Sequence, residues 1–200
     1  MPKVFVIQTG QTTWEAQDRI ESEAGAPLTD GGRRTVQSAA AELTSQAQDI
    51  HALYAGDSEP ERQTAAMVAK ALGLKVRKAA GLHELDYGLW QGLTMTELKR
   101  RRPKMYRQWL DAPAGIRPPG GETLKEAQQR LGKTLKDVLK RHKDETVLLV
   151  LRPVAMALLR CLITRKAVER VWQHMDQQFT WGSYEMDSAF LEASETSRQS

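Results

Sequence analysis

Polar and hydroxyl side chains gather immediately after the first buried strand, where they could bind a ligand. The apolar run VFVI at 4–7 is typical of a strand buried on both faces, and Gln8, Thr9 and Gly10 follow it. Gly10 permits a sharp reversal of the chain, and Thr12 continues the polar segment. Ligands of open α/β sheets bind beyond the carboxyl ends of the strands. The segment therefore predicts a binding site at this edge.

The rest of the chain supplies strands and helices that could position such an edge. Apolar residues at helical spacing predict one helix that begins near Thr29 and another that ends at Gly73. The run TVLLVL at 146–151 predicts a second fully buried strand, and Arg152 follows it directly. Further predicted elements are strands at 52–55, from 74 to 76 and at 179–186, a basic helical segment at 94–111, and helices at 124–139 and 154–163.

Length and composition favour one folded domain over residues 1–190, followed by a polar and disordered tail at 191–200. The formal net charge of +4 fits an anionic partner and fits an ordinary protein equally well. Cys161 is the single cysteine, so no internal disulfide can form, and a reducing compartment is expected. No window resembles a membrane span or a leader segment, and we expect a cytoplasmic protein.

Motifs for metal or nucleotide cofactors are missing from the sequence. It contains no glycine-rich nucleotide loop of the GxxxxGK[ST] type and no HExxH-like metal motif. We therefore expect neither a cofactor nor a bound metal.

Four segments together resemble the histidine phosphatase superfamily, which has the phosphoglycerate mutase-like fold. The family opens with Arg-His-Gly-Glu-Thr-x-Trp, and this chain has QTGQTTW at 8–14. The segment LHELDYGLWQGLT at 82–94 matches a second family motif in residue type and in spacing. Leu28, Thr29 and Gly32 match a helix entry, and PPGGET at 118–123 matches a turn. The resemblance implies a three-layer α/β/α sandwich with a mostly parallel central sheet.

The residues that would perform the family's chemistry are replaced in this sequence. In the family a histidine attacks the phosphoryl group, two arginines and a second histidine hold its oxygens, and a glutamate protonates the leaving group. The matching positions are Thr9 for the nucleophile, Gln8 and Pro60 for the arginines, and Arg152 for the second histidine. Only Glu84, at the place of the general acid, is retained.

Several neighbouring residues remain candidate ligand-binding groups. Arg62 lies two residues beyond Pro60, about half a helical turn away, and is expected to point elsewhere. His83 could replace the nucleophile, although a position at the surface, or behind the residues that line the pocket, is favoured. Arg152 could restore positive charge for an anion, or it could pair with a carboxylate such as Glu84 or Glu122. The remaining ligand-binding candidates are Gln11 and Trp14.

The sequence thus favours a catalytically inactive member of the fold that acts by binding or assembly. Its partner would be an unidentified protein or a small anionic ligand, and a homodimer is left open. One alternative is an enzyme with weak or altered phosphomonoesterase or mutase activity. Another is a binder of nucleic acid or of an acidic protein that uses the basic run at 99–104, although such a run is more often a solvated helix face.

Overall fold

A computed structural model describes residues 2–22, 25–46, 49–175, 180–187 and 190 of the chain. Within these residues five strands form one sheet: β1 (Lys3–Gln8), β2 (Ile50–Ala55), β3 (Val76–Lys78), β4 (Thr146–Leu151) and β5 (Trp181–Glu185). Their order across the sheet is β3-β2-β4-β1-β5, so the two buried strands predicted from the sequence lie side by side near the centre. The predicted disordered tail lies outside the described residues.

The sheet is mostly parallel, which brings the carboxyl ends of its central strands to one edge. β1 pairs in parallel with β4, and Gln8 lies opposite Leu151. β2 runs parallel to β4 and to β3, whereas β5 is antiparallel to β1. This pattern confirms the predicted α/β class with a mostly parallel sheet.

Helices cover both faces of the sheet and form two apolar cores with it. They are α1 (Asp30–Gln46), α2 (Glu59–Leu72), α3 (Met95–Arg101), α4 (Pro103–Asp111), α5 (Leu124–Arg141) and α6 (Pro153–Ile163). Phe5 and Ile7 of β1 pack in the core that includes α1 and α2, whereas Val4 and Val6 pack in the core that includes α5 and α6. Successive strand residues point to opposite faces, so this alternation produces the three layers.

The helical segment predicted at 94–111 consists of two helices that meet at Pro103. α3 ends at Arg101, Arg102 has φ −140° and ψ 59°, and Pro103 occupies the first turn of α4. Proline disfavours a helical conformation in the residue before it, which explains the break. Among the described residues, no helix combines the length and apolar character that a membrane crossing requires.

Candidate functional site

A cavity of about 810 Å³ opens at the carboxyl edge of the sheet, where the sequence predicts a binding site. Gln8 and Thr9 from the end of β1 line it, as does Arg152 from the end of β4. The Thr9 backbone N–H donates to the carbonyl of Leu151 at 2.9 Å, which continues the ladder past the last pair of the two strands. Thr9 and Arg152 therefore leave adjacent strands side by side.

Gly10 allows the chain to turn tightly between the end of β1 and the helices α1 and α2. A Cβ atom at Gly10 would lie 2.5 Å from the carbonyl oxygen of Gly32 in α1. The Gly10 N–H donates to the Thr64 hydroxyl of α2 at 3.3 Å. Only a residue without a side chain fits between these backbones, so the turn requires glycine at position 10.

Arg152 is a buried cation, 1% exposed, and its partners are two glutamates from the loop after β1. Its Nη2 lies 3.0 Å from Glu21 Oε2 and 3.2 Å from Glu15 Oε1. Arg152 therefore pairs with carboxylates, as one of the two interpretations held, but neither of the examples named from the sequence, Glu84 and Glu122, is its ion-pair partner. Glu122 pairs instead with Arg130, at 2.5 Å, and Glu84 has a different set of donors.

Glu84 is buried against the amino terminus of α6, and backbone amides satisfy both of its oxygens. Glu84 Oε2 accepts the N–H of Val154 at 2.9 Å. Glu84 Oε1 accepts the N–H groups of Ala155 at 2.9 Å and of Leu85 at 2.7 Å. The first N–H groups of a helix form an anion-binding position, because they lack partners within the helix and carry the positive end of its dipole. The Glu84 carboxyl group occupies this position in α6.

The two partners of Arg152 are held in place by Thr12. The Thr12 N–H donates to Glu15 Oε2 at 2.9 Å, and the Thr12 hydroxyl donates to Glu21 Oε2 at 2.6 Å. The backbone N–H of Ala26 donates to the other oxygen of Glu21. Because their oxygens already accept these bonds, the two carboxylates are fixed as internal counterions of Arg152.

Burial shifts the acid–base equilibria of this cluster. It raises the pKa of Glu84 and of Glu15 above the ordinary value, and the attraction of Arg152 opposes this shift in both. Burial alone would lower the pKa of Arg152, but the surrounding carboxylates, Glu84 foremost, hold that pKa above its usual range. Arg152 is therefore charged, and its positive charge is balanced within the protein.

The start of α2 places no positive charge in the cavity. Pro60 is buried in the first turn of α2 and does not line the cavity. Arg62 is about half exposed, and its ion pairs are with Asp57 and Glu59 on the surface. Glu61, which lies between Pro60 and Arg62 in the sequence, is fully buried, and Ser58 donates to its Oε2 from both the backbone N–H and the hydroxyl. Burial raises the pKa of Glu61 as well.

The other predicted ligand-binding residues divide between the cavity and its surroundings. Gln11 lines the cavity, whereas Trp14 and His83 do not. The His83 Nδ1 atom is 2.7 Å from the Glu84 carbonyl oxygen. No histidine is found among the described residues that line the cavity.

Sequence reasoning missed Glu15 and Glu21, the residues that neutralise Arg152. Both lie in the polar segment between Trp14 and Leu28, where no site residue was predicted. The sequence pointed to them only indirectly. Arg152 follows a fully buried strand, and an arginine that is itself buried needs a carboxylate partner. It gave no means to choose among the 25 acidic residues of the chain.

Comparison with known proteins gives consistent matches over most of the chain. The family model for the histidine phosphatase superfamily (branch 1) matches residues 4–190. Phosphoserine phosphatase 1 of Hydrogenobacter thermophilus is 26% identical, and the match covers 86% of this chain and 81% of that protein. A probable phosphoglycerate mutase GpmB of Yersinia enterocolitica is 30% identical, with 82% of this chain and 74% of that protein covered.

The structural comparison supports the same fold. The solved structure of Bacillus stearothermophilus YhfR superimposes with a TM-score of 0.87 at 24% identity, and the match covers 94% of this chain and 93% of that one.

Three mycobacterial relatives, 31% identical in sequence, are longer proteins, and the matched region spans 43% of their length.

Proposed function

We propose that this chain, which belongs to the histidine phosphatase superfamily and has the phosphoglycerate mutase-like fold, has lost phosphoryl transfer and acts by binding a ligand or a protein partner. One observation carries the proposal. The groups at the carboxyl edge that could hold a phosphoryl group already bind carboxyl groups of the chain itself. Arg152 is paired with Glu15 and Glu21, and the amino terminus of α6 is occupied by Glu84.

Phosphate would have to compete with these internal partners to enter the site. A phosphate dianion beside Glu15, Glu21 and Glu84 would meet like charge at short range in a medium of low dielectric constant. Hydrogen bonds to a charged group stabilise by about 1.5–3 kcal/mol each. Arg152 Nη2 and the first N–H groups of α6 already form theirs within the protein, whereas Arg152 Nε and Nη1 are buried without a partner among the described residues. The exchange therefore offers phosphate no net gain.

Nucleophilic attack also lacks its components. The Thr9 hydroxyl has no hydrogen-bond partner among the described residues, so no base is positioned to remove its proton. His83, the histidine that precedes Glu84 in the sequence, does not line the cavity. Glu84 is the one catalytic residue of the family that this chain retains. Both of its oxygens accept backbone N–H groups, so the Glu84 carboxyl group is not free to give a proton to a leaving group.

Activity assays test this proposal directly. We expect the protein to release no phosphate from a generic phosphomonoester or from 3-phosphoglycerate above the rate in a blank, and Glu84→Gln to leave that result unchanged. Intact-mass measurement after incubation with the same esters should find no covalent phosphoryl adduct. Turnover that Glu84→Gln abolishes would refute the proposal and favour an enzyme with altered activity.

A further inference from the structure

His142 is a buried histidine that follows the end of α5, and both of its ring nitrogens contact other elements of the fold. Its Nδ1 atom lies 2.5 Å from Glu145 Oε2, in the turn before β4. Its Nε2 atom lies 3.0 Å from the Tyr54 hydroxyl of β2 and 3.3 Å from Arg77 Nη1 of β3. The imidazole therefore joins the short strand β3 to β2 and to the turn before β4.

The partners of His142 fix which ring nitrogen carries the hydrogen. Hydrogen bonding with His142 lowers the pKa of Glu145, so near neutral pH Glu145 is a carboxylate and can only accept. Nδ1 must therefore donate to it. Arg77 can only donate, so Nε2 must be the bare nitrogen that accepts the Arg77 N–H and the Tyr54 O–H. These contacts belong to a neutral ring with its hydrogen on Nδ1.

Protonation of Nε2 would preserve one of these contacts and break another. The new N–H group could still donate to the Tyr54 oxygen, but it would direct a hydrogen and a positive charge at Arg77. Glu145 favours the charged ring from the opposite side, whereas Arg77 opposes it. Because Arg77 is an exposed residue, its guanidinium can turn away into water when Nε2 no longer accepts.

Bases outnumber acids among the other ionisable residues around this contact, so together they add to the repulsion that Arg77 exerts on a charged ring. These residues belong to the last turns of α5, to the turn before β4, and to β2 and β3. They are Asp137, Lys140, Arg141, Lys143, Asp144, His51 and Lys78.

We propose that His142 is a proton-sensitive latch, which holds β3 on the sheet through Arg77 while the ring is neutral and releases it when Nε2 is protonated. β3 has three residues, all exposed, and it lies at one end of the strand order. Lys78 of the same strand pairs with Asp57 at 3.0 Å, but both side chains are exposed and such a pair contributes little. The contact of Arg77 with His142 is therefore important for holding this strand.

Release of β3 would change what this side of the sheet presents to other molecules. Backbone N–H and C=O groups at the edge of a sheet can pair with a strand of another chain. The latch thus makes access to this edge depend on pH. No residue of β3 lines the cavity at the carboxyl edge, so the device is separate from the candidate site.

NMR spectroscopy of the unmodified protein tests both parts of the proposal. Long-range ¹H–¹⁵N spectra above neutral pH should show a hydrogen on Nδ1 of His142 and none on Nε2, and titration to lower pH should then protonate Nε2. The Ala79 N–H donates to the Ala55 carbonyl at 2.8 Å, directly after β3, and reports whether this edge is ordered. Its protection against hydrogen exchange, corrected for intrinsic rates, should fall by about threefold to tenfold as Nε2 is protonated. The Val6 amide of the central strand β1 should keep its protection.

A pair of matched variants on β3 separates the latch from a general weakening of the strand. Arg77→Met removes the group that Nε2 holds, so protection of Ala79 should be low at every pH and should no longer respond to protonation of His142. Lys78→Met removes the neighbouring cation and its contact with Asp57, and it should leave the response to pH in place. The titration of the unmodified protein decides the matter even if Arg77→Met does not fold.

Several results would overturn the proposal. They are a hydrogen on Nε2 above neutral pH, a ring that stays neutral until the whole protein unfolds, and protection of Ala79 that is constant or that falls only together with that of Val6. An equal response to pH in the two methionine variants would also contradict it. None of these measurements depends on phosphate release, so the proposed function can fail or hold independently.

Discussion

Substitution of Arg152 by methionine gives the most direct test of how the site is built. Methionine preserves much of the apolar stem of the side chain and removes the charge, which leaves Glu21 without its cation. The Glu21 side chain is 1% exposed and cannot turn to water without rearranging the loop, whereas that of Glu15 is 25% exposed. Breaking a buried ion pair by removing one partner destabilises a protein by about 3–5 kcal/mol.

We therefore expect Arg152→Met to lower the free energy of unfolding by about 3–5 kcal/mol, a large fraction of the roughly 5–15 kcal/mol that is typical of folded domains. Urea denaturation followed by far-UV circular dichroism measures this change as a lower midpoint at constant slope. In the double variant Glu21→Gln/Arg152→Met, which no longer buries the Glu21 carboxylate without its cation, most of the loss should be recovered.

Arg62→Met is the matched control, because it removes the same group from an arginine that also has two acidic partners. The Arg62 side chain is 52% exposed, and its partners can be solvated when it is removed. We expect a far smaller change than for Arg152→Met. If the two variants lost equal stability, or if Glu21→Gln failed to rescue Arg152→Met, the internal neutralisation of Arg152 would be refuted.

Two further predictions concern the rest of the fold. Because burial raises the pKa of Glu61, its stabilising contribution is complete below the ordinary value of 4.5 and is lost as the pH rises through the raised value. In denaturation curves measured across the pH range, Glu61→Gln should reduce this loss of stability with rising pH. Glu59→Gln should not reduce it, because Arg62 lowers the pKa of the Glu59 carboxyl. Gly88→Ala should destabilise the protein by about 1–3 kcal/mol more than Gly73→Ala in the same assay. Both glycines have positive φ, but a Cβ at Gly88 would lie 2.2 Å from the Pro119 carbonyl oxygen and one at Gly73 would meet nothing; equal losses would contradict this.

The basic run at 99–104 has a structural explanation that does not require nucleic acid. Lys99, Arg100 and Arg101 form the last turn of α3, where cations interact favourably with the negative end of the helix dipole. Arg101 lies 3.9 Å from Glu97 one turn earlier, as expected of a solvated helix face. Binding to an anionic partner that weakened steeply with salt and with reversal of these charges would contradict this explanation.

The sequence alone determined the scaffold and the position of the site. Runs of apolar residues predicted β1 and β4, and helical spacing predicted α1, α2, α5 and α6. Both patterns can be read because they are set by residues that are close together in the sequence. The tight turn at Gly10 also followed from local sequence. The resemblance to the histidine phosphatase superfamily placed Thr9 and Arg152 at a common site, and the parallel pairing of β1 with β4 agrees, because the carboxyl ends of parallel strands meet at one edge.

Only the tertiary structure decided what that site contains. Arg152 and its partner Glu21 are 131 residues apart in the chain, and no periodicity relates them. Glu84 was one of the carboxylates suggested as a partner of Arg152, but its oxygens accept backbone N–H groups at the amino terminus of α6, a choice made by the packing of the whole edge. Local patterns follow from backbone geometry, whereas the pairing of buried charges depends on which side chains the completed fold removes from water together.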